Sequence, residues 1–518
     1  MHHESYIGQK GYTISKAGMT KAEIDSLKHE LFKVPAVSGK PDPDNGFPIY
    51  RENDKKIYLP RFFGTERYGM PERVDIQAGD PIAVAFNSQK PLFPHQEEAI
   101  RIYKAHVGKT PRSAGGILEL ACGMGKTVLA LKLVSDLKRK TLILVHKEFL
   151  MEQWMKRIEE FLPTARVGKI QGPVRDIENK DIVLGMIQSI YNREFPAEMF
   201  HSFGFTIIDE VHRIGSCEFS NTLCKVVTPL ILGISATVDR KDGLSDILYS
   251  FIGPKIHSAG RTQGETKVTV RSYFYKSPDP EFNEMQYDFR GQVKYSTMMS
   301  KLCNFAPRSD YMLQVIRETL KEQPGAQMIV LAHHRNLLVY FYNALTRPTV
   351  TGAAKPTVTG AAKPTVTGAA QPTVTSAAQP TVGYYVGGMK QKDLEQSETC
   401  QVVLATYAMA AEALDIKSLS ILALCTPKTD VIQSVGRILR TKHSDPLILD
   451  FVDAHPVFRN QWTKRRQYYK KCNYDIVQSK PGSTQQQQQQ QQEEEKEDDE
   501  EEEDEESNYD DDVAGMCI

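Results

Sequence analysis

Cysteine is sparse in this sequence, and none of it is arranged as a metal site or a disulfide framework. The 518 residues include eight cysteines, and no two of them form the Cys-x-x-Cys spacing that is typical of zinc sites. Scattered cysteines of this kind are typical of a reducing, intracellular compartment. The sequence therefore argues against the disulfide-rich secreted class and against a zinc-ribbon protein.

Long apolar runs are absent as well. No stretch approaches the roughly 20 apolar residues that a membrane-spanning helix needs, and the opening decapeptide MHHESYIGQK lacks the apolar core of a secretory signal. The sequence predicts a soluble intracellular protein without a membrane partner. Its length allows two to four domains with substantial cores.

The whole chain has almost no net charge, but two of its parts are strongly and oppositely charged. The formal net charge is −1. Residues 493–512 carry 16 acidic groups and one lysine, a charge of −15, which leaves 63 basic and 49 acidic residues, or +14, in the rest of the chain. A basic body favours a polyanionic partner. The acidic tail is expected either to compete for the same surface or to act only in solubility.

The most informative stretch that is present is GGILELACGMGKTVLA at 115–130. Ile117–Leu120 predicts a buried strand, a glycine turn follows, and a helical pattern begins at Lys126. This order is typical of a phosphate-binding loop, in which backbone N–H groups and the helix dipole face the phosphates. Lys126 is predicted to reach the β- and γ-phosphates of a nucleotide, and Thr127 to ligate Mg²⁺.

The loop departs from the G-x-x-x-x-G-K-[ST] pattern at one position, where Leu120 replaces the first glycine. Gly123, Met124 and Gly125 form the turn, and the two glycines stand where the backbone must approach phosphate most closely. A glycine-rich turn that carries Lys-Thr by chance is the alternative. Upstream, the carboxamide of Gln96 can donate and accept at an adenine edge, or it is a solvated side chain at a helix terminus.

A regular alternation of buried strands and amphipathic helices surrounds the loop. The predicted strands are 141–145, 182–186, 205–208 and 231–234, then 328–331, 384–386, 401–405, 421–424 and 447–452. Such alternation predicts an α/β fold with mostly parallel sheets covered by helices. Ligands of such sheets bind at the carboxyl ends of the strands.

Two charged clusters carry candidate chemistry. Asp209 and Glu210 follow a buried strand, where Asp209 is placed to hold Mg²⁺ and Glu210 to deprotonate an attacking water. A helix cap or a surface pair is the alternative for these carboxylates. In QSVGRILR at 433–440, Arg437 and Arg440 share one helix face, which suits a triphosphate transition state. A salt-bridged helix surface is the alternative there.

Two segments are predicted to lack a packed core. The octad PTVTGAAK and its variants recur through 348–382 with few large apolar residues, which predicts a flexible linker that loops out from a domain. The glutamine run 485–492 and the acidic run after it predict a disordered tail. A basic, aromatic helix at 458–469 either lies along phosphates or is a solvated terminal helix.

Taken in order, the clusters resemble the motifs of superfamily 2 helicases. LACGMGKT resembles motif I, DEVH at 209–212 motif II, SAT at 235–237 motif III, TYAMAAEALD at 406–415 motif V and QSVGRILR motif VI. YYVGGMK at 384–390, TPKTDVIQSVGRILR, GYTISKAG and YLPRFFG resemble the XPB-like branch and, within it, helicases of large DNA viruses of the iridovirus type. The Arg-Glu-Asp motif of that branch has Lys241 in place of its glutamate.

The resemblance implies two RecA-like lobes that use ATP and Mg²⁺. It implies an N-terminal accessory domain at 1–90 that is a candidate for nucleic-acid binding, lobe 1 at 91–257, a connection at 258–305, lobe 2 at 306–478 with the 348–382 insertion, and a disordered tail at 479–518. The family pattern assigns the nucleotide and its hydrolysis to Gln96, the loop at 123–127, Asp209, Glu210, Gln433, Arg437 and Arg440. Coupling to lobe movement is assigned to Ser235, Ala236 and Thr237, and contact with the nucleic-acid strand to Trp154, Gln188, Ser189, His334 and Thr406.

The function that these expectations favour is an ATP-dependent DNA helicase or duplex DNA translocase in viral transcription, repair or replication. Its partners would be nucleic acid, with DNA preferred, and the transcription or replication machinery, in a host nucleus or cytoplasm or in a virion. An RNA helicase and a non-motor scaffold that binds ATP are the alternatives.

Overall fold

The computed structural model describes residues 4–37, 40–41, 43–121, 123–211, 217–238, 243–259, 267–347, 379–412, 416, 418–438 and 446–482. Their contacts divide the chain into two compact units, Met1–Arg261 and Thr262–Ile518. Each unit contains one large sheet.

The first unit begins with a small antiparallel sheet of the order β1-β2-β8-β7. The strands of this region are β1 (Ser5–Gly8), β2 (Gly11–Ser15), β3 (Phe32–Lys33), β4 (Ala36–Val37), β5 (Lys40–Pro41), β6 (Phe47–Pro48), β7 (Arg51–Glu52) and β8 (Lys56–Leu59), and its helices are α1 (Lys21–Glu30), α2 (Arg61–Tyr68) and the short 3-10 turns Lys16–Gly18 and Pro43–Asn45. A capping box starts α1, because the Thr20 hydroxyl accepts from the Glu23 N–H while the Glu23 carboxylate accepts from the Thr20 N–H.

Residues 57–63 form most of β8 and then the start of α2. Pro60 precedes the first residue of α2, a position that tolerates its fixed φ and missing N–H. Arg61 is buried, and its Nη1 donates to the Thr228 carbonyl at 2.7 Å. This arginine therefore joins the accessory sheet to the larger sheet and is not available to a nucleic-acid backbone.

The large sheet of the first unit has the order β12-β11-β13-β10-β14-β15-β9-β16. Its strands are β9 (Ala114–Leu120), β10 (Thr141–Val145), β11 (Val167–Gln171), β12 (Val174–Arg175), β13 (Ile182–Met186), β14 (Phe205–Asp209), β15 (Leu230–Ser235) and β16 (Lys255–Ala259). Its helices are α3 (Pro94–Val107), α4 (Lys126–Leu137), α5 (Glu148–Phe161), α6 (Ile187–Tyr191), α7 (Cys217–Lys225) and α8 (Ser245–Ile252), with a 3-10 turn at Ala197–Phe200.

Every pair in this sheet is parallel except the edge pair of β11 and β12. Strands β10, β13, β14 and β15 are buried along their whole length, as expected where helices cover both faces of a parallel sheet. The predicted parallel α/β architecture is confirmed.

The large sheet of the second unit has the order β19-β20-β18-β21-β22-β17-β23, and all of its pairs are parallel. Its strands are β17 (Thr269–Tyr275), β18 (Gln327–Ala332), β19 (Val382–Tyr385), β20 (Val402–Thr406), β21 (Leu419–Leu424), β22 (Leu447–Asp453) and β23 (Asp475–Gln478). Its helices are α9 (Pro280–Asn283), α10 (Tyr295–Asn304), α11 (Ala306–Glu322), α12 (Arg335–Thr346), α13 (Gln391–Glu398), α14 (Tyr407–Glu412), α15 (Ile432–Ile438) and α16 (Pro456–Lys471).

Two buried ion pairs hold helices onto β22. Arg308 of α11 donates to both oxygens of Asp453 at 2.5 and 2.8 Å. Arg465 of α16 donates two hydrogen bonds to Asp450 at 2.8 Å each, and the Tyr469 hydroxyl adds a third. Buried charges persist when they are paired and hydrogen-bonded in this way. The basic, aromatic helix predicted at 458–469 thus directs Arg465 and Tyr469 into the core.

Two predicted segments lie outside the described residues, namely the octad repeat from 348 to 378 and the tail from 483 onward. No described helix is long and apolar enough to cross a membrane.

Replacing residues 348–378 with a Gly-Ser linker of about eight residues is expected to leave the melting temperature and the ATPase rate unchanged. A deletion that extends through 381 is expected to destabilise the protein, because the Thr381 hydroxyl accepts from the Gln401 N–H at 2.8 Å and its carbonyl accepts from the Val402 N–H at 2.9 Å. Thermal denaturation of both variants checks this boundary. Equal loss of stability in both would show that the repeat itself supports the fold.

Candidate functional site

Three predicted motifs meet at one edge of the first unit's large sheet. Strands β14, β15 and β9 are neighbours, and they end at Asp209, Ser235 and Leu120. The register pairs Asp209 with Ile234 and Ser235 with Glu119. Because parallel strands end at the same edge, the acidic cluster, the SAT turn and the glycine loop are brought side by side.

The glycine loop has the backbone that its sequence predicts. Gly123 and Gly125 have φ angles of 83° and 72°, in the left-handed region that favours glycine. Lys126 is the first residue of α4, so the amino end of that helix opens toward the turn. Met124 is buried among the core side chains beneath the loop, and Cys122 lies outside the described residues.

Gln96 is committed to the loop backbone. Its Nε2 donates to the carbonyls of Met124 and Gly125 at 3.2 and 3.3 Å, and its Oε1 accepts from the Phe93 N–H at 2.9 Å. A Cβ on Gly125 would approach that Nε2 to 2.1 Å, so the close contact requires glycine. His95 reaches the same Met124 carbonyl through Nε2 at 3.0 Å. The carboxamide therefore holds the loop in shape, a role that the sequence did not predict.

Lys126 and Glu210 face each other. The ammonium of Lys126 lies 3.9 Å from Glu210 Oε1 and donates to the Leu120 carbonyl at 3.3 Å. Glu210 has a φ of 52°, a left-handed backbone that is uncommon for a residue with a side chain. Strained backbone of this kind persists where the surrounding structure imposes it, and it is concentrated at functional sites.

Asp209 is buried beside the loop. Its Oδ2 accepts a hydrogen bond from the indole N–H of Trp154 at 2.9 Å. Burial, and then the neighbouring Glu210, raise the pKa of Asp209 to about 6, while the Trp154 hydrogen bond acts in the opposite direction. Trp154 is itself 1% exposed, so its indole orients this carboxylate and lies too deep to contact a nucleic-acid strand as predicted.

The SAT turn is tied to the glycine loop through Glu119. The Ser235 hydroxyl donates to the Thr237 carbonyl within the turn, and Ala236 and Thr237 are half-buried. Glu119, the charged residue of β9, accepts from the Val238 N–H at 3.0 Å and from the Ser258 hydroxyl at 2.9 Å. A shift of the SAT turn would therefore be transmitted to the strand that carries the loop.

Gln188 and Ser189 lie at the carboxyl end of β13, further along the same edge. Gln188 Nε2 donates to the His146 carbonyl at 3.3 Å, and the Ser189 hydroxyl accepts from the Gly172 N–H at 2.9 Å. Both side chains are half-buried. Their position is compatible with the predicted nucleic-acid contact, which stays a prediction.

In the second unit, His334 and Thr406 follow β18 and end β20, which are adjacent strands. His334 is half-buried and immediately precedes α12. Its neighbour His333 bonds to the Thr426 hydroxyl through Nδ1 at 2.8 Å, and burial lowers the pKa of His333 to about 4, so this ring is neutral. A hydrogen bond thus joins the segments that follow β18 and β21 at the carboxyl edge of this sheet.

Of the predicted arginine helix, Arg437 lies in the last turn of α15 and is half-buried. The side chain of Gln433 and all of Arg440 lie outside the described residues. The roles assigned to these three residues stay predictions.

Comparison with known proteins decides the family. Residues 89–240 match the family model described as "Type III restriction enzyme, res subunit". The "Putative ATP-dependent RNA helicase L396" of Acanthamoeba polyphaga mimivirus is 30% identical over 475 residues, which are 90% of this chain and 85% of that protein. The chain belongs to the superfamily 2 helicases. It is therefore an enzyme of the class that couples ATP hydrolysis to nucleic acid.

Other relatives of this helicase also come from large DNA viruses. The African swine fever virus protein QP509L, named with the same description, is 24% identical over 75% of this chain and 74% of its own length. Helicase 161L of Invertebrate iridescent virus 6 is 23% identical over 68% of this chain and 76% of its own length. The predicted kinship with helicases of large DNA viruses is confirmed, and the identity is higher to the mimivirus protein than to the iridovirus one.

The donor set suits Mg²⁺ held jointly with a nucleotide. Thr127 supplies a hydroxyl and Asp209 one carboxylate, whose raised pKa reflects a burial that a bound cation would offset. Among the described residues, no group of three or more His, Cys, Asp and Glu side chains could hold a metal. Mg²⁺ commonly takes one or two protein oxygens and fills its other positions with phosphate and water, so the two donors fit it.

Sequence reasoning missed three contributors to this site. Glu119 is signalled only as a charge inside a buried strand. His95 is signalled only by its place next to Gln96. Phe93, which stacks on His95 at 5.7 Å, keeps 64% of its surface exposed and is available to stack on a nucleobase. Glu119 and His95 contact residues that are distant in sequence, so their neighbours in the chain do not reveal these roles.

The Trp154→Phe variant is expected to lower nucleic-acid-stimulated ATP turnover about tenfold and to raise the Mg²⁺ concentration at half-maximal rate, because it removes the N–H that orients Asp209. Titrating Mg²⁺ in a steady-state ATPase assay checks this. Phe161→Leu is the control, since it alters a buried ring of the same helix away from the site. A wild-type Mg²⁺ dependence for Trp154→Phe would refute the orienting role.

The Asp209→Asn variant is expected to stabilise the metal-free protein by roughly 2 kcal/mol at neutral pH while abolishing ATP turnover. An acid whose folded pKa is about 6 against a model value of 3.8 weakens the fold as pH rises between those values, and the loss is complete above them. Urea denaturation with EDTA at neutral pH and near pH ~4 measures the difference, which should vanish at the lower pH.

Asp136→Asn is the matched control for that comparison. Although burial opposes it, hydrogen bonds from Lys132 and Lys104 lower the pKa of Asp136, so its loss should weaken the fold at neutral pH. Equal stability of Asp209→Asn and the wild type at neutral pH would contradict the account of Asp209.

Proposed function

We propose that this helicase is an ATP-driven motor that moves on DNA, as a strand-separating helicase or a duplex translocase. The placement of Lys126 and Glu210, 3.9 Å apart at the edge where the glycine loop ends, carries the proposal. Lys126 is thereby placed to bind the terminal phosphate of a nucleotide, and Glu210 to act as a base toward the water that attacks this phosphate. The preference for DNA rests on the motif resemblance to the XPB-like branch.

In the proposed mechanism the loop binds the triphosphate and Lys126 takes up its negative charge. The N–H groups at the start of α4 and the left-handed glycines provide the cradle, and Gln96 keeps that cradle in shape from behind. On nucleotide binding, Lys126 would exchange its contact with Glu210 for the phosphates. Glu210 then accepts a proton from the attacking water.

Mg²⁺, when bound through Thr127 and Asp209, supplies positive charge that neutralises the β- and γ-phosphates. Trp154 fixes the Asp209 carboxylate by donating to one oxygen, which leaves the other for the cation or its water. Glu119 links the SAT turn to β9, so a movement of the loop on phosphate binding would be transmitted to Ser235 and Thr237. Arg437 and Arg440 of the second unit are expected to stabilise the transition state.

RNA is the second candidate substrate. The mimivirus and African swine fever virus relatives carry names that describe ATP-dependent RNA helicases. The basic body of this chain attracts either polymer through its phosphates. The chemistry at the nucleotide is the same in both cases, so only the track differs.

The Lys126→Ala and Glu210→Gln variants are each expected to reduce nucleic-acid-stimulated ATP turnover by at least about 10³-fold, because one loses the phosphate cation and the other the base. The wild type and both variants are assayed with duplex DNA, single-stranded DNA and RNA side by side. Stimulation by DNA is the expected result for the wild type.

Lys132→Ala is the control, because Lys132 lies on the same helix but pairs with Asp136 away from the loop. Wild-type turnover in Lys126→Ala or Glu210→Gln would refute the site. Stimulation by RNA alone would replace DNA as the track. Tight ATP binding without stimulated turnover by any polymer would favour a non-motor scaffold.

A further inference from the structure

A hairpin between α9 and α10 presents an aromatic ring to solvent. Residues 286–294 form it, with Tyr287 and Val293 paired across its two arms. Phe289 at its tip is 90% exposed, the highest value among the exposed large apolar side chains of the described residues, and Tyr287 is 54% exposed. An exposed phenyl ring forgoes the stabilisation that burial would give, and its flat apolar face is available to a partner.

The tip is rigid. The Gly291 N–H donates to the Asp288 carbonyl at 3.0 Å, and Gly291 has a φ of 72°, which is the geometry of a type I turn followed by a left-handed glycine. The Asp288 carboxylate accepts from the N–H groups of Arg290 and Gln292 at 2.9 and 2.8 Å. The ring of Phe289 is therefore presented by a turn in which the N–H groups of the three residues that follow it are hydrogen-bonded.

The base of the hairpin is anchored in the second unit. Met285 and Val293 pack against its hydrophobic core, and the Lys294 N–H donates to the Gln286 carbonyl at 2.8 Å. Lys301 of α10 donates to the Glu284 carbonyl at 2.7 Å. Met285 and Val293 therefore anchor the base of the hairpin, while its aromatic tip stays exposed.

Tyr295, the residue that follows the hairpin, contacts the sheet edge that carries the residues predicted to contact the nucleic-acid strand. The Tyr295 hydroxyl, at the end of the hairpin, donates to the Pro427 carbonyl at 3.4 Å. Pro427 follows Thr426, whose hydroxyl contacts His333 and whose carbonyl accepts from the Tyr407 hydroxyl. These contacts link the residue that follows the hairpin to the loop after β21, which in turn contacts His333 and Tyr407, the chain neighbours of His334 and Thr406.

Exposed basic side chains lie on and beside the hairpin, and the exposed carboxylates of Glu281 and Glu284 precede it. The Arg290 guanidinium lies 5.0 Å from the centre of the Phe289 ring, and Lys294 is exposed at the base. Gln461 of α16 donates to the Tyr295 hydroxyl at 3.1 Å, and the exposed Lys464 lies one turn further on the same helix face. Helix α16 has no acidic side chain, and the carboxylate of Asp288 is engaged by the turn.

We infer that the 286–294 hairpin binds single-stranded nucleic acid, with Phe289 stacked on an unpaired base and Arg290, Lys294 and Lys464 facing the backbone phosphates. Stacking of bases on aromatic side chains is tolerant of sequence, as a motor that moves along a strand requires. The inference deepens the proposed function and rests on it, since it names the element of the second unit that grips the strand.

The experiment measures stacking directly. Oligonucleotides of single-stranded DNA and RNA that carry 2-aminopurine are titrated with the full chain, because the fluorescence of this base falls when it stacks. Phe289→Ala is expected to abolish the quenching and to weaken binding about tenfold, while Phe289→Trp keeps both. Phe32→Ala, which removes a ring that is 45% exposed in the first unit, is the control and should bind like the wild type.

ATP turnover without nucleic acid separates this inference from the proposed function. Phe289→Ala is expected to keep it unchanged and to keep the wild-type melting temperature, because the ring lies in solvent. Arg290→Gln should reduce the slope of log affinity against log salt by about one unit. Loss of quenching and affinity in Phe289→Ala supports the inference even if the wild type shows no stimulated turnover. Unchanged quenching and affinity overturn it even if the motor is confirmed, and would assign the ring to a protein partner instead.

Discussion

The organisation of both units depends on parallel strands that are buried on both faces. Strands such as β10 and β14 expose no side chain along their length, so polar groups that must reach a ligand lie where the strands end. The order of the first large sheet then decides which ends are neighbours. It sets the ends of β14, β15 and β9 side by side, and residues more than a hundred positions apart become one site.

At the nucleotide edge of the first unit, two acidic residues adopt states that are unfavourable for them in isolation. Glu210 takes a left-handed backbone, and Asp209 keeps a carboxyl group where burial disfavours its charge. Trp154 hydrogen-bonds Asp209, and Gln96 and His95 hold the neighbouring glycine loop by its Met124 carbonyl. Strain and burial of this kind lower stability, and they are useful only if a cation and phosphates relieve them, which is the expectation for a nucleotide site.

Much of the fold could be predicted from the sequence because short apolar runs bounded by polar turns have few other solutions. The predicted strands 141–145 and 182–186 coincide with β10 and β13, and the glycine loop has the predicted left-handed turns. The partners that individual side chains contact could not be predicted in this way. The family pattern assigns Trp154 to the nucleic-acid strand, but it is buried against Asp209. Arg465 lies in the helix for which phosphate contact was one of two alternatives, but it pairs with Asp450. Such pairs join residues that only tertiary packing brings together.

The same reasoning separates two kinds of aromatic residue in this helicase. Trp154 and Tyr469 use their polar atoms on buried carboxylates, so their rings are already satisfied within the fold. The Phe289 side chain has no polar atom to satisfy, and it lies in water on a turn that is shaped by hydrogen bonds to Asp288. Folding alone gives no reason to place a phenyl ring there, since a polar residue at that turn position would avoid the exposure. The ring is therefore best explained by something outside the chain that offers a flat, apolar face.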